Sequence, residues 1–111
     1  MSDILTEKQC VPCEGGLAPL LPEEITRLLP EINGWHLGED SAWLRKSWKF
    51  PDFARALQWV NQVGEIAESQ GHHPDIRLGW GYAEIALQTH AIGGLHENDF
   101  ILAAKIDILP M

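Results

Sequence analysis

The chain is poor in basic residues, and this shortage argues against a nucleic-acid partner. It has 8 Lys and Arg against 16 Asp and Glu, a formal net charge of -8. The nearest thing to a basic patch is Arg45, Lys46 and Lys49, interleaved with tryptophans. Because a phosphate backbone would be repelled by the overall charge, we predict no nucleic-acid partner.

Long apolar runs are also missing. No run approaches the roughly 20 residues that span a bilayer. The first residues, MSDILTEK, lack the basic stretch followed by an apolar one that a signal peptide requires. We therefore predict no membrane association and a cytoplasmic location.

Cysteine is scarce, with only Cys10 and Cys13, which form one C-x-x-C near the start of the chain. A structural zinc site would need a second ligand pair, and a redox motif would need a strand before it and a helix after it. The sequence supplies neither. An exposed, reduced arm is the favoured interpretation, while a zinc ion shared across a homodimer stays open.

The length of 111 residues and a hydrophobic content of 45% indicate one compact domain. Residues 1–21 are rich in Gly and Pro and have no regular period, which predicts an irregular N-terminal arm. Residues 22–111 form the predicted folded domain. Its first helix begins at Pro22 and is disturbed by Pro30.

The rest of the domain alternates hairpins and helices. Aromatic runs at 35–37 and 42–50 predict a first hairpin. A long helix follows from Asp52 to Gly71. Its apolar stripe is formed by Phe53, Leu57, Val60, Gly64 and Ala67 and is widened by Ala56, Val63 and Ile66. A second hairpin turns at residues 79–81, and a last helix begins near Glu97. This order, α-β-β-α-β-β-α, predicts an α+β single domain with a four-stranded antiparallel sheet and helices packed on one face.

Four of the five histidines lie between residues 68 and 99, across the second hairpin. If the turn is centred on residue 80, paired residues have numbers that sum to about 160. His90 is then opposite residues near 70–72, beside His72. Three histidines at one hairpin end predict a functional site.

The adjacent histidines His72 and His73 should have different roles. Gly71 ends a helix and Pro74 imposes an extended backbone on the residue before it, so successive side chains point to opposite sides. Histidine exchanges protons near neutrality, because its ordinary pKa is about 6.5. Two histidines around a substrate are suited to general acid and base catalysis.

Nearby carboxylates are candidate supports for these rings. Asp99 is expected to orient His90, and Glu68 lies one helical turn before His72. Each carboxylate also has a plainer explanation, at a helix start and on a solvated helix face. His36 and His96 are interpreted as surface or capping residues.

A metal site is the competing chemical hypothesis, since three histidines and a carboxylate are common ligands. Adjacent ligands on an extended segment diverge, however, and neither H-x-H nor H-x-x-x-H occurs in the sequence. Proton transfer is therefore preferred.

The site residues follow a fixed spacing: Glu68, three residues, His72-His73-Pro74, five residues, Trp80, nine residues, His90, eight residues, Asp99. In residue type and spacing this pattern resembles the pterin-4a-carbinolamine dehydratase family. The similarity extends from about Pro22 to the C-terminus, and the C-V-P-C-E-G-G arm resembles that of some bacterial members.

The resemblance implies dehydration of 4a-hydroxytetrahydropterin to quinonoid dihydropterin, the recycling step after an aromatic amino acid hydroxylase. It assigns acid-base work to His72 and His90, in either order, and positioning of the pterin ring to His73. It ranks the other motif residues as substrate-binding supports, namely Glu68, Asp99, Pro74 and Trp80, the last replacing a more usual Tyr.

The resemblance also implies that no metal, redox cofactor or covalent intermediate is needed, and that the protein forms a homodimer or homotetramer. A non-enzymatic alternative follows from the same family. Some members serve as dimerisation partners of a transcription factor, so a binding module of this fold is the second hypothesis.

Overall fold

The computed structural model describes residues 2–11, 18–38 and 41–111. The helices in these residues are α1 (Ser2–Glu7), α2 (Pro22–Leu28), α3 (Phe53–Gln70) and α4 (Glu97–Asp107). The strands are β1 (His36–Leu37), β2 (Leu44–Lys49), β3 (Asp75–Gly79) and β4 (Tyr82–Leu87). The strands form one antiparallel sheet in the order β1-β2-β4-β3, which confirms the predicted fold class.

Local sequence signals set most helix boundaries. Pro22 is the first residue of α2, and Pro30 lies in a short 3₁₀ turn, Leu29–Glu31, that replaces the α-helix. The Asp52 side chain accepts a hydrogen bond from the backbone at the start of α3. At the other end, Gly71 adopts a left-handed conformation with φ of 63°.

The hydrophobic core lies between one face of the sheet and α3 and α4. Alternate residues of β4 point into it, and α4 is buried on almost every side. The predicted stripe on α3 is confirmed at Ala56, Val63 and Ala67, which are buried, and is wrong at the N-terminal end of the helix. Phe53 and Leu57 are 42% and 39% exposed, whereas Trp59 is 1% exposed and packs against the rings of Trp48 and Phe50. The sheet therefore meets the side of α3 that carries the largest ring.

The second hairpin has the predicted geometry, with a turn displaced by half a residue. Gly79 pairs with Tyr82, and Trp80 and Gly81 form the turn, so Trp80 is not part of the strand. Gly81 has φ of 78°, a conformation that glycine adopts without strain. At Gly79 the Tyr82 ring lies over the position that a Cβ would take, so a larger residue there would have to displace this exposed ring.

The N-terminal arm is not irregular throughout. Residues Ser2–Glu7 form α1, which packs on α4 and places Leu5 in the core at 1% exposure. The composition-based prediction failed because a short helix, Ser2–Glu7, precedes the Gly- and Pro-rich part. Cys10 is half-buried rather than exposed, and Cys13 lies outside the described residues.

Among the residues that the structure describes, no helix has both the length and the apolar character needed to cross a bilayer.

Candidate active site

A cavity of about 230 Å³ lies where the second hairpin meets the ends of α3 and α4. Its size is just below the roughly 300 to 1,000 Å³ of typical ligand sites, which suits a small ligand. It is lined by Val11, Gly71, His72, His73, Gln88, Thr89, His90, Ala91 and Asn98. The three histidines expected at one hairpin end thus share one cavity.

His72 is fixed from both sides. Its backbone N–H donates to the Ala67 carbonyl at 3.3 Å, which completes the end of α3 after Gly71. Its side chain is almost fully buried, and Nε2 lies 2.6 Å from Oδ1 of Asp99. Because a carboxylate only accepts hydrogen bonds, Nε2 carries the proton. Nδ1 is therefore the ring nitrogen left for a ligand.

Asp99 is fully buried and accepts hydrogen bonds on both oxygens. Besides His72 on Oδ1, the Thr89 hydroxyl donates to Oδ2 at 2.8 Å and the His96 backbone N–H at 3.0 Å. The expectation that Asp99 orients His90 is wrong. The start of α4 faces the end of α3, so the carboxylate meets His72 instead.

His73 points away from His72, as its extended backbone predicts. Its Nε2 pairs with the Glu68 carboxylate at the cavity rim, where the side chains are 60% and 78% exposed. Glu68 therefore contacts His73 rather than His72. Such an exposed pair contributes about 0 to 1 kcal/mol, so its role is orientation rather than stability.

His90 begins a 3₁₀ turn, His90–Ile92, three residues after β4 ends. Its ring is exposed, and its centroid lies 5.6 Å from the Trp43 ring in an edge-to-face arrangement. The Arg45 guanidinium covers the same indole at 5.0 Å. Sequence reasoning missed Trp43 as a site residue, because its only signal was membership of an aromatic strand.

Four predicted residues are not among those that line the cavity. Asp99 and Glu68 contact the lining histidines His72 and His73, whereas Trp80 and Pro74 lie elsewhere. Trp80 is 72% exposed in the turn at the other end of β3. Pro74 lies between His73 and the start of β3 and acts on the backbone.

Six residues outside the predicted set also line the cavity, among them Val11 and Asn98. Asn98 is 2% exposed, and its amide forms two hydrogen bonds with the backbone of Val11. The sequence gives no signal for this contact, which joins residues 87 positions apart.

The two histidines that were interpreted as surface or capping residues have those positions. His36 is exposed on β1, and His96 is the N-cap of α4, with Nδ1 accepting from the Asn98 backbone at 3.0 Å. Within the described ranges, no group of three or more His, Cys, Asp or Glu side chains is arranged to hold a metal ion.

Comparison with known proteins places this chain among pterin dehydratases. Residues 18–109 match the family described as Pterin 4 alpha carbinolamine dehydratase. Several relatives carry the name "Putative pterin-4-alpha-carbinolamine dehydratase". The one from Rubrobacter xylanophilus is 54% identical over 105 residues, covering 95% of this chain and 97% of its own. The one from Methylococcus capsulatus is 50% identical, covering 95% and 92%.

Two solved structures have the same fold. The transcriptional coactivator/pterin dehydratase from Brucella melitensis has a TM-score of 0.75 and 28% identity, covering 80% of this chain and 95% of that one. A pterin dehydratase-like protein described as a RuBisCO assembly factor in the alpha-carboxysome has a TM-score of 0.58 and 24% identity. It covers 68% of this chain and 87% of that one, and it shows the fold alone.

Proposed function

Since this chain belongs to the pterin-4a-carbinolamine dehydratase family and is thus a hydro-lyase, we propose that its histidine cavity dehydrates 4a-hydroxytetrahydropterin by acid-base catalysis. The observation that carries the proposal is the convergence of His72, His73 and His90 on one cavity, with a buried carboxylate behind His72. The product is quinonoid dihydropterin plus water.

The reaction requires two proton transfers and no change of oxidation state. One imidazolium gives a proton to the hydroxyl on carbon 4a, and the carbon–oxygen bond breaks to release water. The other imidazole accepts the proton of nitrogen 5, and a double bond forms between nitrogen 5 and carbon 4a. His72 and His90 supply these groups, and the proton that the base gains returns to the acid through solvent, which reaches the exposed His90.

Asp99 is a positioning residue in this mechanism. By accepting from Nε2 of His72, it fixes the ring orientation and keeps Nδ1 toward the ligand. His73, oriented by Glu68 and by the backbone constraint of Pro74, contacts the pterin ring at the cavity rim. Trp80 is given no role in the histidine cavity of its own chain, because it lies in the hairpin turn at the other end of β3.

The decisive experiment compares His72→Ala and His90→Ala with His36→Ala, a matched change at an exposed histidine outside the cavity. Dehydration of 4a-hydroxytetrahydropterin is followed for each variant after circular dichroism confirms folding. We expect the rate to fall roughly 100-fold or more in the first two variants only. Turnover like that of the wild type in both cavity variants would refute the assignment.

The alternative is a binding module without catalysis. The observation that favours it is that the similar Brucella melitensis protein is named a transcriptional coactivator as well as a pterin dehydratase. If the wild-type protein is folded but does not dehydrate the carbinolamine, the binding module is the better explanation.

Self-association is part of the proposal. Phe53 and Leu57 on α3 and Ile76 on the edge strand β3 are exposed apolar residues that a second copy would cover. We expect a homodimer or homotetramer, which light scattering after chromatography would measure. A monomer at micromolar concentration would contradict it.

The proposed setting is cytoplasmic and beside an aromatic amino acid hydroxylase, because dehydration is useful only where the carbinolamine is produced. The net charge of -8 supports the absence of a nucleic-acid partner.

A further inference from the structure

The segment before the first gap in the described residues reaches the wall of the histidine cavity. This arm segment, residues 9–11, follows α1, which is held on α4 by the buried Leu5. Lys105 Nζ also donates to the Thr6 carbonyl at 2.8 Å, and Lys8 pairs with Glu97 at 2.6 Å. Together these contacts hold α1 and the residue after it against α4, so that the arm segment lies beside the first turn of α4.

Two side-chain amides hold the arm segment in place. Asn98 donates from Nδ2 to the Val11 carbonyl at 2.7 Å and accepts from the Val11 N–H at 3.0 Å. Gln70, the last residue of α3, accepts from the Cys10 N–H at 2.8 Å and donates to the Gln9 side chain at 2.9 Å. The backbone polar groups of Val11 are thus satisfied by a buried partner, which favours one conformation.

The Cys10 thiol packs beneath this segment and lies 3.6 Å from the Asn98 carbonyl. Burial and the neighbouring Asp99 carboxylate raise its pKa to about 11. The thiol is therefore neutral at pH 7 and acts as a packing group.

Consecutive residues of α4 hold two different residues of the cavity lining. Asp99 holds His72 on the acid-base side, while Asn98 holds Val11 on the arm side. Val11 is 55% exposed and has no group that transfers protons. Val11 can therefore contact a bound ligand without taking part in its proton transfers.

We infer that the arm segment is a substrate-binding wall for the non-reacting part of the pterin, with Gln70 and Asn98 as the residues that position it. The inference rests on the proposed function of the cavity. A contact made equally in the ground state and the transition state lowers KM without raising kcat. Loosening the wall should therefore raise KM and leave kcat nearly unchanged.

The test uses Val11→Ala, which trims the wall, and Gln70→Ala, which removes a tether without altering a cavity-lining side chain. We expect KM for 4a-hydroxytetrahydropterin to rise about three- to tenfold in each, with kcat within about twofold. In the double variant, KM should rise by less than the product of the two single effects, because both changes act through one segment.

Gln62→Ala is the matched control. Gln62 is also on α3 and donates to the Pro110 carbonyl at 3.2 Å, away from the cavity. We expect wild-type KM and kcat for it, and circular dichroism checks the fold of every variant.

The outcomes separate this inference from the proposed function. A wild type without dehydratase activity would refute the proposed function. An active wild type, with Val11→Ala and Gln70→Ala unchanged in KM, would refute the wall alone. A loss confined to kcat would also overturn it, because it would mean that the arm acts on the chemical step.

Discussion

Replacing Asp99 with Asn should leave the fold intact and remove most of the activity. The substitution preserves the size of a fully buried side chain but replaces one acceptor oxygen with an NH2 donor. The His96 backbone N–H donates to Oδ2 and cannot reverse its direction, so the new amide oxygen must stay at that position. The NH2 group then faces Nε2 of His72, where the carboxylate oxygen was 2.6 Å away.

Two donors cannot meet at that distance, so His72 must give up its Nε2 proton. A neutral ring then carries its proton on Nδ1, toward the cavity, and has no lone pair there to accept one. A charged ring would keep the Nε2 proton and lose its carboxylate partner. A positioned acid or base contributes about 10² to 10⁴ in rate, so we expect kcat to fall by that factor, or about 3 to 5 kcal/mol of barrier.

The assay is steady-state dehydration of 4a-hydroxytetrahydropterin, with thermal melting of each variant. Asp107→Asn is the matched control, since Asp107 is also on α4 and also accepts several hydrogen bonds, including one from Trp35 Nε1 at 3.0 Å. It also pairs with Lys46 at 2.8 Å, so the control should lose about 1 to 3 kcal/mol of stability and keep its kcat. A folded Asp99→Asn variant with at least one-tenth of wild-type kcat would refute the tautomer argument.

Three further perturbations test the surroundings of the site. Trp43→Ala should lower kcat about three- to tenfold by freeing the His90 ring, and Trp43→Phe should largely restore it; steady-state kinetics measures both, and equal losses would contradict an orienting ring contact. Glu68→Gln should change KM less than about fivefold, because its pair with His73 is exposed; a kcat loss above tenfold would give Glu68 a direct chemical role. The raised pKa of Cys10, about 11, means that the folded state holds the thiol proton more tightly than the unfolded state. Its contribution to stability should be complete below about pH 9 and lost as the pH rises through about 11. Alkylation of Cys10 by iodoacetamide, followed by mass spectrometry, should therefore still accelerate above pH 9; a plateau by pH 9 would contradict the shift.

Much of the site was predictable because its signals are local. Gly71 and Pro74 set the backbone on either side of the histidine pair, so the divergence of His72 and His73 followed from conformational preferences of single residues. One tight turn then returned His90 to the same end of the hairpin. The observed pairs, such as Ile76 with Ile85, sum to 161 rather than about 160, which is within one residue of the prediction.

The partner of His72 and the contact between Asn98 and the arm were decided only by tertiary packing. Asp99 meets His72 across 27 positions, and Val11 meets Asn98 across 87. Both contacts depend on how α4 lies against α3 and α1, and the hydrophobic force that packs those helices is non-directional. The sequence by itself thus determined which histidines share a cavity. The tertiary structure decided which carboxylate holds His72 and that an apparently irregular arm supplies a wall, because those choices depend on helix orientation rather than on local backbone preference.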